Sequence, residues 1–310
     1  MAVTTDPFTG TDLAAVIPEV WTGIINEKKF ADNVLVNWVT DLTSWGTDGG
    51  DIFHVPDFFT NALTVSTQST QGAEINTAGP ATVDTTFTID THKYVAWIIG
   101  DKDLRQIAAR YDVNELYARQ ARGLLLQALE ADIAALWSTL TTNVIGDTAT
   151  VLSDAEIRQA INALESRNFN VQEAAFFFHP YVYWNQIHAV VKYYSQNIVG
   201  PANAGGPVRT GNLGGSNDPS LAHKGILYGA PVFVSPNIVS GLQTYRNMLV
   251  HPSAFAFAVQ TRGGNMVRVQ MEYQLRNLGM LAVVDVLYGV KTLREEAAVL
   301  LNASSAFLGS

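Results

Sequence analysis

Cysteine is missing from all 310 residues. Its absence excludes disulfides, a thiol nucleophile, iron–sulfur clusters and zinc ribbons, and leaves histidine–carboxylate metal sites open. Charge is also scarce, at 15% of residues against about 25% in ordinary globular chains. Nineteen basic residues face twenty-eight acidic ones, a formal charge of −9, and no basic run occurs anywhere. Such a chain lacks the concentrated Lys/Arg face needed to grip nucleic acid by neutralising phosphates. The most apolar late stretch, Leu278 to Val290, is interrupted by Asp285 and is too short to cross a bilayer as a helix. No membrane span is predicted. Met1 to Gly10 carries Asp6 and Pro7 without the basic segment and apolar core of a secretory signal, which predicts a chain made and kept in the cytosol.

Apolar side chains make up 47% of the sequence. Combined with so few charges, this leaves two readings open. Much of the surface meets other subunits, or a monomer carries a surface rich in Thr, Asn, Gln and Ser. The length fits two domains, or one large domain with insertions.

Along the chain, Pro18 to Trp45 places Ile24, Ile25, Phe30, Val34, Leu35 and Trp38 at the three- and four-residue spacings of short amphipathic helices. It serves as an arm lying on a neighbour or as a first core helix. A Gly-rich break at Gly46 to Gly50 follows. Val83, Thr85, Phe87 and Ile89 then alternate with Asp84, Thr86, Thr88 and Asp90, the period of a half-buried strand. Beyond His92, Tyr94 to Ile99 is apolar on both faces and calls for cover on both. Between the extended pieces, Thr60 to Pro80 is dominated by Thr, Ser, Gln, Asn and Gly and cannot bury itself, so a projecting hairpin with a polar tip is expected.

Asp101 to Leu140 is the strongest helical signal. Asp112 with Glu115 matches a capping box, which divides it into a short helix through Arg110 and a long one from Val113. Leu116 or Tyr117, Ala121, Leu124, Ala128, Leu129, Ile133, Leu136 and Leu140 form its inner stripe, with Arg119, Arg122, Glu130 and Asp132 off it. Ser153 with Glu156 caps another helix, facing Ile157, Ile161 and Leu164 inward and ending near Asn168. Ala174 to Phe178 reads as a buried strand. Gly200 to Pro219 is a second glycine-rich loop, followed by strand pieces over Ile226 to Val234 joined at Gly229-Ala230-Pro231. Arg246 to Val259 gives a strand, a His251-Pro252 break and a second apolar run. Val267 to Arg276 alternates, and Leu281 to Val290 closes the chain with a long strand.

None of the six histidines, His54, His92, His179, His188, His223 and His251, lies two or four residues from another, so no metal or triad site is built locally. His179-Pro180 and His251-Pro252 end apolar strands, where a catalytic residue or one satisfying backbone groups fits. Asp285 reads as a desolvated general base, or as a carboxylate paired with an arginine. The cluster Gly205 to Gly215 lacks the Gly-Lys-Ser/Thr ending of a phosphate cradle, and no Gly-x-Ser-x-Gly elbow occurs. No cofactor is expected. Trp21, Trp38, Trp97, Trp137, Tyr183 and Trp184 sit among apolar stripes as core or interface anchors.

The order of these parts, with Ile17-Pro-Glu-Val-Trp-Thr-Gly, Leu227-Tyr-Gly-Ala-Pro-Val and Leu287-Tyr-Gly-Val-Lys-Thr-Leu-Arg-Glu-Glu-Ala, resembles the major capsid proteins of tailed bacteriophages, the Hong Kong 97-like fold. The resemblance implies an α+β chain. It divides into an amino-terminal arm (1–49), an extended hairpin loop across a neighbour (50–99), a peripheral domain with a spine helix (100–150), an axial α/β domain (151–265) and returning strands with a carboxy-terminal axial segment (266–310). It further implies self-assembly as pentamers and hexamers, scaffolding, portal and decoration partners, and enclosure of DNA without sequence-specific binding. A virion protein assembled in the host cytoplasm follows. Subunit contacts are expected at Trp21, Phe30, Asp84, Asp90, Lys93, Arg119, Arg122, Arg268, Glu272 and Arg276. Lys93 is not at the tip where some relatives place a crosslinking lysine, so crosslinking is not carried over. Three rivals remain: an encapsulin-like compartment, an α/β hydrolytic enzyme using His179, His251 or Asp285, and a tail tube subunit.

Overall fold

The computed structural model describes residues 33–45, 52–57, 65, 67, 71–72, 83–106, 113–187, 208–209, 223–238, 244–260 and 266–305. Residues 1–32 of the arm, with Trp21 and Phe30, most of the polar segment between the first two long strands, Asp112 and nearly all of the Gly200–Pro219 loop lie outside them. The described elements begin with α1 (Val34–Trp38), β1 (Thr40–Asp41), β2 (Ile52–Asp57), β3 (Val83–Thr88) and β4 (Thr91–Gly100). Next come α2 (Asp101–Gln106), α3 (Val113–Ala135), β5 (Val144–Ile145), α4 (Asp154–Glu165), β6 (Ala175–Phe178) and α5 (Pro180–Val182). The rest is strand: β7 (Val208–Arg209), β8 (His223–Leu227), β9 (Ala230–Val234), β10 (Thr244–Val250), β11 (Phe255–Val259), β12 (Arg268–Gln274), β13 (Gly279–Thr292) and β14 (Ala298–Ser304).

Two main sheets and one hairpin result. In the first sheet β13 is paired along both edges. One edge carries β4, from Thr91 opposite Tyr288 to Gly100 opposite Gly279. The other carries β12, from Arg268 opposite Asp285, and further along β11, with β1 parallel beyond it. The second sheet runs β5-β14-β10-β6-β9-β8-β7. The chain thus crosses between sheets at the His251 turn, from β10 in the second to β11 in the first, and again across residues 293–297, from β13 in the first to β14 in the second. Phe255–Val259, sequence-adjacent to the second sheet, belongs to the first.

Burial explains the layering. Phe177, Met248, Val250 and Leu300 on one face of the second sheet share a core with Leu125, Leu129, Ile133 and Trp137 of α3 and its end, and with Phe255, Phe257 and Val284 of the first sheet. Phe176, Phe178, Leu249 and Val299 on the opposite face pack against Ile157, Ala160 and Leu164 of α4. A strand covered on both faces has no polar side to alternate with, which is why Ala175–Phe178 is apolar throughout. The capping box of α4 forms as expected: the Ser153 side chain accepts from the Glu156 N–H, and the Glu156 carboxylate accepts from the Ser153 N–H at 2.6 Å. Asn168 closes the helix with φ +64°.

Several expectations shift. The short helix is described over Asp101–Gln106, and its expected continuation through Arg110 lies outside the described residues. The inner stripe of α3 runs Ala121, Leu125, Leu129, Ile133 and reaches Trp137, whereas Tyr117 and Leu124 are exposed. The helix meets the sheets along one side only, and Leu125 rather than Leu124 faces them. The turn between β8 and β9 is Tyr228-Gly229, both at positive φ. Proline has its φ fixed near −65° and cannot occupy such a two-residue hairpin turn, so Pro231 falls in the strand instead.

Among the described residues the β2–β3 hairpin meets the body through Phe53, Phe87 and the Thr86 carbonyl, which accepts from Lys291 Nζ. β11 alternates in size: Phe255 and Phe257 enter the main core, while Ala256 and Ala258 face the other way and make a shallow seat for Phe87 and Ile89. Gly289 completes the seat. A Cβ built there would lie 2.1 Å from the Thr88 carbonyl oxygen and 3.1 Å from the Ile89 Cα. Gly289→Ala is expected to destabilise the chain by about 1–3 kcal/mol through overpacking. Gly100→Ala in the adjacent strand, whose Cβ would meet only Asp103 Oδ2 at 3.7 Å, is expected to be close to neutral. Urea denaturation of the two variants measures the difference.

Candidate assembly surfaces

The side chains left uncovered in one copy define the candidate surfaces. On β4, Val95, Trp97 and Ile99 turn toward α3, with Trp97 edge-on to Tyr117 at a 6.0 Å ring separation. The other face presents Tyr94 and Ile98, 67% and 45% exposed. The expectation of cover on both faces is therefore half met among the described residues. The first sheet also extends past α3 as a β12–β13 hairpin. Here Val269, Met271 and Tyr273 are exposed on one face, and Leu275 and Leu278 at its turn. Beyond the seat, the β2–β3 hairpin shows Ile52, His54, Asp84, Thr86 and Thr88 to solvent.

The residues expected at subunit contacts fall into distinct settings. Trp21 and Phe30 lie outside the described residues. Asp84 and Asp90 are exposed: Asp84 meets His54 Nδ1 from the opposite strand, and Asp90 accepts from Thr91 Oγ1 at 3.0 Å. Arg119 pairs with Glu115 one turn back at 2.9 Å, an arrangement worth only a few tenths of a kcal/mol at an exposed site. Arg122, Glu272 and Arg276 are exposed. Lys93 and Arg268, by contrast, are engaged inside the chain.

Lys93 Nζ donates to Asp132 at 2.7 Å and lies over the Tyr288 ring, while the Tyr288 hydroxyl donates to the same carboxylate at 2.5 Å. This cluster joins β4, α3 and β13. Burial, and then the hydrogen bond it donates to Asp132 and that residue's charge, push the Tyr288 hydroxyl well above its ordinary value, keeping it a donor. Arg268 makes a two-pronged contact with Asp285, Nε to Oδ1 at 3.0 Å and Nη2 to Oδ2 at 2.8 Å, and His92 Nε2 reaches Oδ2 at 2.9 Å. The guanidinium holds the Asp285 carboxyl below the usual carboxylate range, with His92 contributing less. Asp285 is thus the paired carboxylate of the two readings. A lowered pKa and filled acceptors are the opposite of what a general base needs.

The two His-Pro motifs share one device. His179 Nδ1 accepts from the Tyr181 N–H at 3.2 Å and His251 Nδ1 from the Ser253 N–H at 3.3 Å, each capping a helical turn with proline in its first positions. Nδ1 of each ring is thereby committed to a backbone N–H. His179 also stacks on Tyr245 and His251 on Phe169. His179, His251 and Asp285 have no partner in common. Among the described residues, no cluster of three or more His, Asp or Glu side chains could hold a metal, and no helix is long and apolar enough to cross a membrane.

One functional group stands where the sequence pattern placed a solvent-facing one. Glu130, off the expected stripe of α3, has no exposed surface. The segment after β9 and the start of α1 cover it. Ser235 Oγ donates to its Oε1 at 3.3 Å, and Oε2 has no hydrogen-bond partner. Burial raises its pKa to about 7, offset only in part by Asn237, the Val34 and Leu35 backbone and Ser235. Only a tertiary contact marks this residue; its i, i+4 neighbours give no signal.

No family model matches the chain, and no curated protein does. Solved structures match over nearly its whole length. A chain from Mycobacterium phage Che8 is 20% identical, covering 92% of this chain and 96% of that one with a TM-score of 0.72. The capsid of cyanophage P-SCSP1u is 12% identical over 94% of each chain at 0.69. The SrpI encapsulin of Synechococcus elongatus is 10% identical over 98% of each at 0.66. The chain has the Hong Kong 97-like fold. Among the described residues the outer face of β4, the β2–β3 hairpin and the β12–β13 hairpin leave apolar or unpaired surface bare.

Glu130 gives a pH test. Its folded-state pKa lies above the unfolded value of 4.5, so its contribution is fully present below pH 4.5 and is lost as pH rises through about 7. The span corresponds to on the order of 3 kcal/mol. Glu130→Gln, neutral at every pH, is expected to flatten the fall in urea midpoint between pH 5 and 8 and to exceed the parent chain in stability at pH 8. Asp285 and Glu295, the latter lowered chiefly by the Thr141 backbone N–H, act below the usual carboxylate range and do not overlap this window.

Proposed function

We propose that this chain is a shell-forming major capsid protein that assembles with copies of itself into the head of a tailed phage around double-stranded DNA. The observation that carries the reading is the hairpin seated among the described residues through Phe53, Phe87 and Ile89, together with bare apolar faces on β4 and β12, within a fold whose solved examples include phage capsids. A folded monomer gains little from a two-stranded ribbon held at one end. A lattice that covers the ribbon with a neighbour gains from every repeat, because weak contacts engaged together on one subunit become strong.

In this reading residues 1–49 form the arm, 50–99 the loop over a neighbour, 100–150 with the returning strands the peripheral domain, and 151–265 the axial domain around five- and six-fold axes. Scaffolding, portal and decoration proteins are the partners, and assembly takes place in the host cytoplasm. The formal charge of −9 favours a wall that holds DNA loosely and leaves it free to exit. The encapsulin reading is supported by the SrpI match and differs in content, protein cargo in place of a genome.

Electron microscopy of the expressed chain, alone and with its neighbouring gene products, is expected to show closed shells. Nuclease-protected DNA in particles from infected cells supports the capsid reading, and a co-purifying protein cargo supports the compartment. A chain that stays a compact monomer under every condition overturns both.

A further inference from the structure

The outer edge of β12 is the most unusual surface of the described residues. The strand is hydrogen-bonded to β13 on one side and to no other described strand on the other, and residues 268–273 are exposed on both faces. Open edges of this kind are normally blunted by charged side chains, lysine above all, by proline or by a bulge. Arg268-Val-Gln-Met-Glu-Tyr-Gln has no lysine or proline, its pairing with β13 is unbroken, and it carries one charge of each sign. These charges are patterned: Arg268 and Glu272 share one face with Gln270 between them, and Val269, Met271 and Tyr273 share the other.

Resting on the reading that copies of this chain assemble, we propose that β12 pairs antiparallel with β12 of a second copy about a two-fold axis at Gln270, making one sheet continuous across the two subunits. That register sets Arg268 opposite Glu272 of the second copy, twice, and Val269 opposite Met271, twice. Directly opposed ions and apolar side chains are the stabilising unit of an antiparallel pair. Moving the axis to Met271 puts Arg268 opposite Gln274 and Glu272 opposite Gln270, leaving both charges unmatched. Moving it to Glu272 sets carboxylate against carboxylate. Charge complementarity therefore selects one register among those that keep the apolar face intact.

The structure prepares the contact. Asp285 already holds the Arg268 guanidinium by two hydrogen bonds, so little side-chain freedom remains to be lost when Glu272 of the second copy approaches. A row of alternating charge, Asp285, Arg268, Glu272, then runs across the joint. The opposite face brings Val269 and Met271, each 50% exposed in one copy, against their counterparts.

The lack of cysteine makes the test clean. A residue on the axis faces itself, so Gln270→Cys joins two copies directly, and the double variant Val269→Cys with Met271→Cys joins them if position 270 is a wide pair. Glu272→Cys lies four residues from its copy, roughly 13 Å along the strand, beyond disulfide reach. After mild oxidation of assembled shells, non-reducing electrophoresis is expected to move most of the Gln270→Cys or double-variant chain to twice the monomer mass, with Glu272→Cys unmoved. Intact shells in which neither links, or in which Glu272→Cys links as readily, overturn the pairing while leaving the shell reading in place. Absence of any shell overturns that reading, and the pairing with it.

Discussion

Strand β13 is hydrogen-bonded along both of its edges, and the rest of the molecule is organised by that fact. Over its first half it lies between β4 and β12, and over its second half β11 replaces β12. Each partner leads to a different part: β4 to the projecting hairpin and to the long helix, β12 to the bare edge, β11 to the second sheet through the His251 turn. A central strand with backbone groups satisfied on both sides is hard to displace. It serves as the fixed reference from which less covered elements extend.

The hairpin and the helix are attached to this strand in contrasting ways. The hairpin root rests on Ala256, Ala258 and Gly289, small residues that let Phe87 and Ile89 come close. The helix is held by large apolar contacts at Leu125, Leu129 and Ile133 and by two acidic residues pointing in different directions. Asp132 is satisfied by Lys93 and Tyr288. Glu130 is enclosed with one oxygen unpartnered, and a group left in that condition is strained electrostatically whenever it is charged. Stability is therefore distributed unevenly, strong in the two cores and weak where the parts leave the body.

Much of the fold was legible from periodicity. The strand over Val83–Thr88, the capped helix from Ser153, the buried strand before His179 and the long closing strand all carry local signals strong enough to survive tertiary packing. The assembly surfaces were less legible. Lys93 and Arg268 read as exposed cations, yet both meet carboxylates from elements 39 and 17 residues away. Tyr94 to Ile99 reads as doubly covered because an apolar residue gives the same signal whether its cover comes from its own chain or from another. The alternation of Phe and Ala in β11 was the one unused clue to the hairpin seat.

By itself the sequence determined most element types, the absence of thiol chemistry and the scarcity of charge, since these follow from composition and from spacings of two and 3.6 residues. Tertiary structure alone decided that Leu125 rather than Leu124 faces inward, that Glu130 is buried, that Asp285 is a neutralised partner of Arg268, and that β12 is left with an open edge. Those outcomes depend on which distant segment arrives at each position, and contacts between residues far apart in the chain leave no periodic trace in it.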